Sequence, residues 1–161
     1  MLHLFLLRHG KATKYQDDMA DFTRTLNKQG TAQVNQVGYI LREKGVKIDH
    51  MLVSSATRTT ETAEIVNHYL NCKNIQFEKD FYLADSAAIL KLINQWGQGS
   101  SLLYVGHNNG ISDFAAYLTG QPVLMSTSQL IEIEFDFDNW SMISAGTGSI
   151  KMNIKPDVHS F

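Results

Sequence analysis

Residues with chemistry in them fall in three short segments: Leu7-Arg8-His9-Gly10, Ser54-Ser55-Ala56-Thr57-Arg58 and Val105-Gly106-His107-Asn108. A neutral imidazole nitrogen can attack phosphorus, and a guanidinium offers a planar fork of donors that matches phosphoryl oxygens. Gly10 has no side chain, so the backbone can approach a ligand closely there. Two His and two Arg with no carboxylate beside them make a poor cage for a divalent metal, because cations repel one another. The same set suits a tetrahedral oxyanion. One imidazole would attack in line, and the other groups would hold charge spreading over the equatorial oxygens.

These residues meet only if the elements carrying them share an edge. Leu4-Phe5-Leu6-Leu7 is an apolar run too short for a helix, so it reads as a buried strand ending at Arg8. Met51-Leu52-Val53 runs into Ser54, and Leu102-Leu103-Tyr104-Val105 runs into Gly106. Ile75-Gln76-Phe77 is a further short strand; Phe81-Tyr82-Leu83 is ambiguous. Helical spacing separates them. Asn27 caps a helix with Val34, Val37, Ile40 and Leu41 on one face, closed by Gly45. Ser54 or Ser55 caps the next, with Ala56, Ala63, Val66 and Leu70 on one face, which puts Arg58 near its first turn. A cation there opposes the helix dipole, which points to an anionic ligand at that helix start. Ser86 opens a third helix with Ile89, Leu90, Ile93 and Trp96, and Ile111, Phe114, Ala115 and Leu118 mark a fourth.

Strands alternating with helices imply right-handed crossovers and a mainly parallel sheet, whose ligands bind at the carboxyl ends of the strands. The expected architecture is a three-layer α/β/α sandwich with an antiparallel C-terminal edge. That edge comes from Leu130 to Asp138, where Ile131, Ile133, Phe135 and Phe137 alternate with Glu132, Glu134, Asp136 and Asp138. Ile150, Met152 and Ile154 repeat the alternation, with Lys151 and Lys155 able to face the acidic stripe. Residues 11–26 are polar and aperiodic, a loop that carries Lys11, Lys14 and Arg24.

With 161 residues, 43% hydrophobic and 19% charged, the chain is expected to be one globular domain, 1–161. A net charge of −2 without a basic cluster gives no footprint for nucleic acid. No apolar run approaches the ~20 residues that span a bilayer. The single Cys72 excludes an internal disulfide framework and fits a reducing compartment, so the expected location is cytoplasmic. His3, His50, His68 and His159 lack comparable company and read as surface or packing residues, and Trp96, Trp140 and Tyr104 read as core or helix-packing residues.

The three motifs, with Thr59, Thr62-Ala63, Asp21 through Arg24 to Leu26, Gly30 and the segment from Thr127 to Pro156, resemble the histidine phosphatase superfamily. Within it the chain is most similar to the small SixA-type phosphohistidine phosphatases. The resemblance implies that His9 is the phosphoryl-accepting nucleophile and that Arg8, Arg58 and His107 complete the catalytic pocket. Gly10, Arg24 and Asn108 are expected at the substrate-binding surface. No metal or organic cofactor is implied. Relatives acting on alcohol esters carry a Glu proton donor; the matching region here, Phe81 to Ser86, offers only Asp85, for which a solvated or helix-capping role is the stronger reading. Asn109 stands where many relatives have Pro, a change expected to affect only the turn. An imidazole, with an ordinary pKa of ~6.5, leaves far more easily than an alcohol, so a site without a strong acid suits phosphohistidine. The expected partner is a phosphorylated protein, a histidine phosphotransfer domain being the leading class. A phosphomonoesterase of small esters and a non-catalytic phospho-ligand binding module are the alternatives, and the sequence does not fix the oligomeric state.

Overall fold

The structure, a computed structural model, describes residues 1–156. In chain order its elements are β1 (Leu2–Arg8), α1 (Lys28–Glu43), β2 (His50–Ser54), α2 (Thr57–Leu70), β3 (Ile75–Glu78), α3 (Ser86–Trp96), β4 (Ser101–Gly106), α4 (Gly110–Thr119), β5 (Leu130–Phe135) and β6 (Gly148–Ile154). The strands form a six-stranded sheet in the order β3-β2-β4-β1-β5-β6. β1 pairs in parallel with β4, and β2 in parallel with both β3 and β4. β5 returns antiparallel against β1, and β6 antiparallel against β5. This is the expected α/β sandwich with an antiparallel edge. Among the described residues no helix is long and apolar enough to cross a membrane.

Strand alternation divides the core in two. Leu2, Leu4 and Leu6 of β1 face Ile89 and Ile93 of α3 and Phe114 and Leu118 of α4. Phe5 and Leu7 face the other way, onto Val34 and Val37 of α1 and Ala63 and Val66 of α2. The central strands are apolar on both faces because both are covered. Each fully buried Leu or Val there contributes roughly 1.5–3 kcal/mol, which holds the strand ends in register beneath the site. Trp140 and Tyr104 belong to the α3/α4 side of this core, and the Trp140 indole donates to the Gly99 carbonyl (2.7 Å).

Several local expectations hold, and others shift. Asn27 caps α1, its side chain accepting from the Gly30 amide at 2.7 Å. Neither Ser54 nor Ser55 caps α2: the N-cap is Ala56, with no side-chain cap bond, and Ser54 ends β2 with its hydroxyl turned to His107. The alternating strand stops at Phe135 rather than Asp138, so Asp136 and Asp138 lie in the bend that follows. Lys151 meets Glu134 at 3.5 Å as expected across the hairpin, whereas Lys155 lies past the last paired residue, Ile154. Phe81 closes a short 3-10 turn, Lys79–Phe81, and Tyr82 and Leu83 continue as loop. The Asn108–Asn109 peptide is cis. His3 pairs with Glu132 (3.0 Å), His50 is fully buried, and His159 lies outside the described residues.

Candidate active site

At the carboxyl ends of β1, β2 and β4 lies a pocket of about 460 Å³. Arg8, His9, Arg24, Arg58, His107 and Asn108 all line it, together with Asp21 and Leu83. The chain distance between these groups is removed by the parallel sheet: Leu7 pairs with Val105 and Val53 pairs with the same residue from the other side. The His9 and His107 rings come within 5.4 Å, centroid to centroid, at an interplanar angle of 57°.

His9 is oriented by its neighbour. Its Nδ1 lies 2.7 Å from the Gly10 carbonyl, an acceptor, which assigns the ring proton to Nδ1 and leaves the Nε2 lone pair free. The Arg58 Nε donates toward that lone pair at 3.4 Å. Gly10 itself does not line the pocket: its amide donates to Thr62 Oγ1 (3.0 Å), and its carbonyl serves His9. It therefore positions His9 rather than touching a ligand. A β-carbon at Gly10 would stand 2.8 Å from Val34 Cγ2, so the packing against α1 also requires glycine. Thr62 Oγ1 in turn donates to the Arg58 carbonyl (2.7 Å), which links the first turn of α2 to the end of β1.

His107 Nε2 bonds Ser54 Oγ at 2.8 Å, and its Nδ1 is buried without a partner. Arg8 donates from Nη1 to the Met125 carbonyl (2.9 Å), while its buried Nε has no partner. Arg24 donates from Nε to Asp21 Oδ1 and from Nη1 to the Thr13 carbonyl, both at 2.9 Å. Asn108 Oδ1 accepts from the Ser112 hydroxyl. Arg8 and His107 thus line one pocket and each carries a buried nitrogen without a partner.

Burial, with the charges of Arg58, Arg8 and Arg24, pushes the His9 imidazole down to about 4 against the opposing bond to Gly10. Burial, His9 and Arg58 push His107 down to about 3. Both rings are neutral at neutral pH, the state a nitrogen nucleophile needs. Burial also lowers Arg8, and Arg58 beside it adds to the effect.

Asp85 is elsewhere. Its Oδ1 accepts from the Ala88 amide at 2.8 Å as the N-cap of α3, and it does not line the pocket. The carboxylate that does is Asp21, in a 3-10 turn (Asp21–Thr23) of the β1–α1 loop. Burial alone would raise its pKa, but the Tyr82 hydroxyl, the Arg58 charge and hydrogen bonds from Arg58 and Arg24 bring it down to about 2. Sequence reasoning placed Asp21 only within a motif, and Tyr82 in an ambiguous stretch. The available signal was Asp21 three residues before Arg24, a spacing that pairs them across one turn.

Comparison with known proteins agrees with this geometry. The structure of a protein described as phosphohistidine phosphatase SixA from Agrobacterium tumefaciens superposes with a TM-score of 0.84 at 23% identity, covering 96% of this chain and 98% of the other. That of the protein histidine phosphatase SixA complexed with tungstate gives 0.78 at 24% identity, over 96% and 97% of the two chains. At these identities the likeness is one of fold. The mitochondrial serine/threonine-protein phosphatase PGAM5 of Xenopus tropicalis is 40% identical over 68 residues, 42% of this chain and 24% of that protein. The chain thus spans about a quarter of the length of that relative. The family model for the histidine phosphatase superfamily (branch 1) matches residues 4–82, the segment that contains Arg8, His9, Arg24 and Arg58. Over residues 4–82 the chain thus matches the histidine phosphatase superfamily, and β4 brings His107 to the same pocket.

Proposed function

We propose that this protein is a phosphohistidine phosphatase acting on phosphorylated proteins through a covalent phosphohistidine intermediate. The observation that carries this reading is the state of the pocket's carboxylate. Asp21 is held ionised by Arg58, Arg24 and Tyr82, and Asp85 is committed to a helix cap. Among the described residues lining the pocket, no carboxylic acid is protonated near neutrality to assist an alcohol leaving group. Phosphohistidine does not need one. When the substrate imidazole carries a proton on its far nitrogen, it departs as a neutral ring.

The positions of the atoms support the following cycle. His9 Nε2 attacks phosphorus as the substrate P–N bond breaks, and the electron pair returns to the substrate nitrogen. The His9 proton stays on Nδ1, against the Gly10 carbonyl. Nucleophile and leaving group are the same chemical group, so the transfer is close to balanced. Arg8, Arg58 and His107 hold the equatorial oxygens, each charge-assisted bond being worth ~1.5–3 kcal/mol. Water then attacks phosphorus, the P–Nε2 bond breaks, and phosphate leaves with the proton that the water gives up. The likeness to structures described as phosphohistidine and protein histidine phosphatases supports a phosphohistidine protein as substrate; a histidine phosphotransfer domain is the class that the sequence resemblance implies.

The test compares turnover of a phosphorylated histidine phosphotransfer domain with that of sugar phosphates, with 32P trapping of the enzyme. An acid-labile, alkali-stable label on His9 and a preference for the phosphoprotein are expected. Faster turnover of the small esters would assign a phosphomonoesterase instead. Binding with no label and no turnover would leave a binding module.

A further inference from the structure

Three guanidiniums, of Arg8, Arg24 and Arg58, line the pocket. They repel one another, yet two of them share a fixed partner. Asp21 Oδ1 accepts from Arg24 Nε at 2.9 Å, and Oδ2 accepts from Arg58 Nη2 at 3.0 Å. The Asp21 main-chain carbonyl accepts from Arg58 Nη1 at 2.8 Å. Two bonds to its terminal nitrogens fix the plane of the Arg58 guanidinium, with Nε turned to His9 Nε2. The Arg58 side chain is only 3% exposed, so its orientation is set by these partners rather than by water.

Asp21 is held in its turn. The Tyr82 hydroxyl donates to Oδ2, which ties the β1–α1 loop to the loop after β3. The Tyr82 ring stands edge-on to His107 (5.4 Å) and to Phe22 (4.9 Å), and the Arg58 guanidinium lies 5.9 Å from its centre. One tyrosine therefore touches the carboxylate, the arginine it orients and the second imidazole.

We infer that Asp21, fixed by the Tyr82 hydroxyl, is a positioning residue that sets Arg58 and Arg24 for phosphoryl transfer and limits the positive charge the pocket offers a bound anion. The inference rests on reading this pocket as a phosphoryl site. It predicts a split that general damage would not produce. Removing the Asp21 charge releases Arg58 from its productive orientation, so turnover falls. It also removes a negative neighbour of the bound oxyanion, so ground-state anion binding tightens.

The experiment measures kcat on a phosphorylated histidine phosphotransfer domain and the dissociation constant for inorganic phosphate, at low and high salt, in the Asp21→Asn and Tyr82→Phe variants. Asp21→Asn is expected to lower kcat at least tenfold and to tighten phosphate binding about three- to tenfold at low ionic strength, an effect that shrinks with salt. Tyr82→Phe, which removes one hydroxyl and keeps the ring, is expected to lower kcat by about two- to fivefold while binding phosphate no more weakly than wild type. An unchanged kcat in Asp21→Asn, or a loss of phosphate affinity alongside kcat, overturns the inference. Should Asp21→Asn not fold, the Tyr82→Phe result decides in the same terms. If the wild-type protein does not turn over phosphohistidine, the proposed function fails by itself. Phosphate binding still reads the charge at Asp21, and an affinity unchanged by Asp21→Asn then sinks this inference separately.

Discussion

His9 and Arg58 face each other across 3.4 Å, the proposed nucleophile beside a cation, and this pairing makes the imidazole's protonation state the first thing to measure. Burial and the arginines hold His9 at about 4, and burial, His9 and Arg58 hold His107 at about 3. Both rings are therefore expected to stay neutral through pH 6 in the free protein. Histidine ring signals followed by NMR from pH 8 to 4 check this; a His9 midpoint above 6 would contradict it. The nucleophile's role has its own test. His9→Ala is expected to abolish turnover, with loss of the 32P label, while phosphate binding survives in part through Arg8, Arg58 and His107. Retained turnover in that variant would exclude the proposed intermediate. At this scale the chemistry was legible where a residue type is rare at a strand end: Arg8, His9, Arg58 and His107 all line the pocket. Asp21 and Tyr82 were not, because each sits in or beside a one-turn 3-10 segment with no apolar period to place it. Gly10 was legible as special but for another reason, its amide and carbonyl serving Thr62 and His9 rather than a ligand.

Elements deliver those residues, and two joints in them are open to direct test. The first is the start of α3, where Asp85 Oδ1 accepts from the Ala88 amide (2.8 Å). If capping is its function, Asp85→Ala costs about 1 kcal/mol of stability and leaves kcat on a phosphoprotein within about twofold. Urea unfolding with a parallel assay separates this from a proton donor, whose loss would lower kcat by ~10²-fold or more. The second joint is the close approach of α1 to the β1–α1 loop. A β-carbon on Gly30 would stand 2.1 Å from the Lys11 carbonyl oxygen, backbone that cannot swing aside. The same loop continues to Asp21 and Arg24, and Leu26 is anchored by its amide to Glu61 Oε1 of α2 at 2.9 Å. Gly30→Ala is thus expected to lose about 1–3 kcal/mol in urea unfolding and to lower turnover as well. Unaltered turnover would mean that the loop accommodates the shift without moving Arg58's partner. Periodicity made the helices readable, since α1, α3 and α4 bury the apolar faces it marks. It could not assign Ser54, whose hydroxyl is taken by His107 across the sheet instead of by the next helix.

Across the whole molecule the three parallel strands that end in Arg8, Ser54 and Gly106 pair side by side, so the sheet that buries the core also assembles the pocket. That topology was legible because buried parallel strands are continuous apolar runs, whereas the length of the edge strand was not: alternation persists to Asp138 while pairing stops at Phe135. The same burial carries a thermodynamic consequence. His9, His107 and His50 are buried, and all three have pKa values lowered from 6.5, His50 by burial with the nearby Gln76 amide acting the other way. Above pH 6.5 folded and unfolded states both hold neutral rings, so the full stability is present. As pH falls below 6.5 the unfolded chain takes up protons that the folded one refuses, and stability declines toward pH 4. The slope approaches about 1.4 kcal/mol per pH unit for each of His9 and His107, and His50 adds to it in the same direction. Asp21 works in a lower window. Its carboxylate is held at about 2, so its contribution is present above the ordinary carboxylate range and lost as pH drops further. Urea midpoints should therefore hold between pH 7.5 and 6.5 and fall from there toward pH 4.5. His50 separates the scaffold from the site, since it opens β2 at the end opposite Ser54. His50→Leu, which removes a buried ring whose pKa is lowered by burial, is expected to flatten that decline and to raise the midpoint at pH 5 relative to wild type, with turnover unaffected. A slope that stays as steep in His50→Leu would place the acid sensitivity in the pocket pair alone.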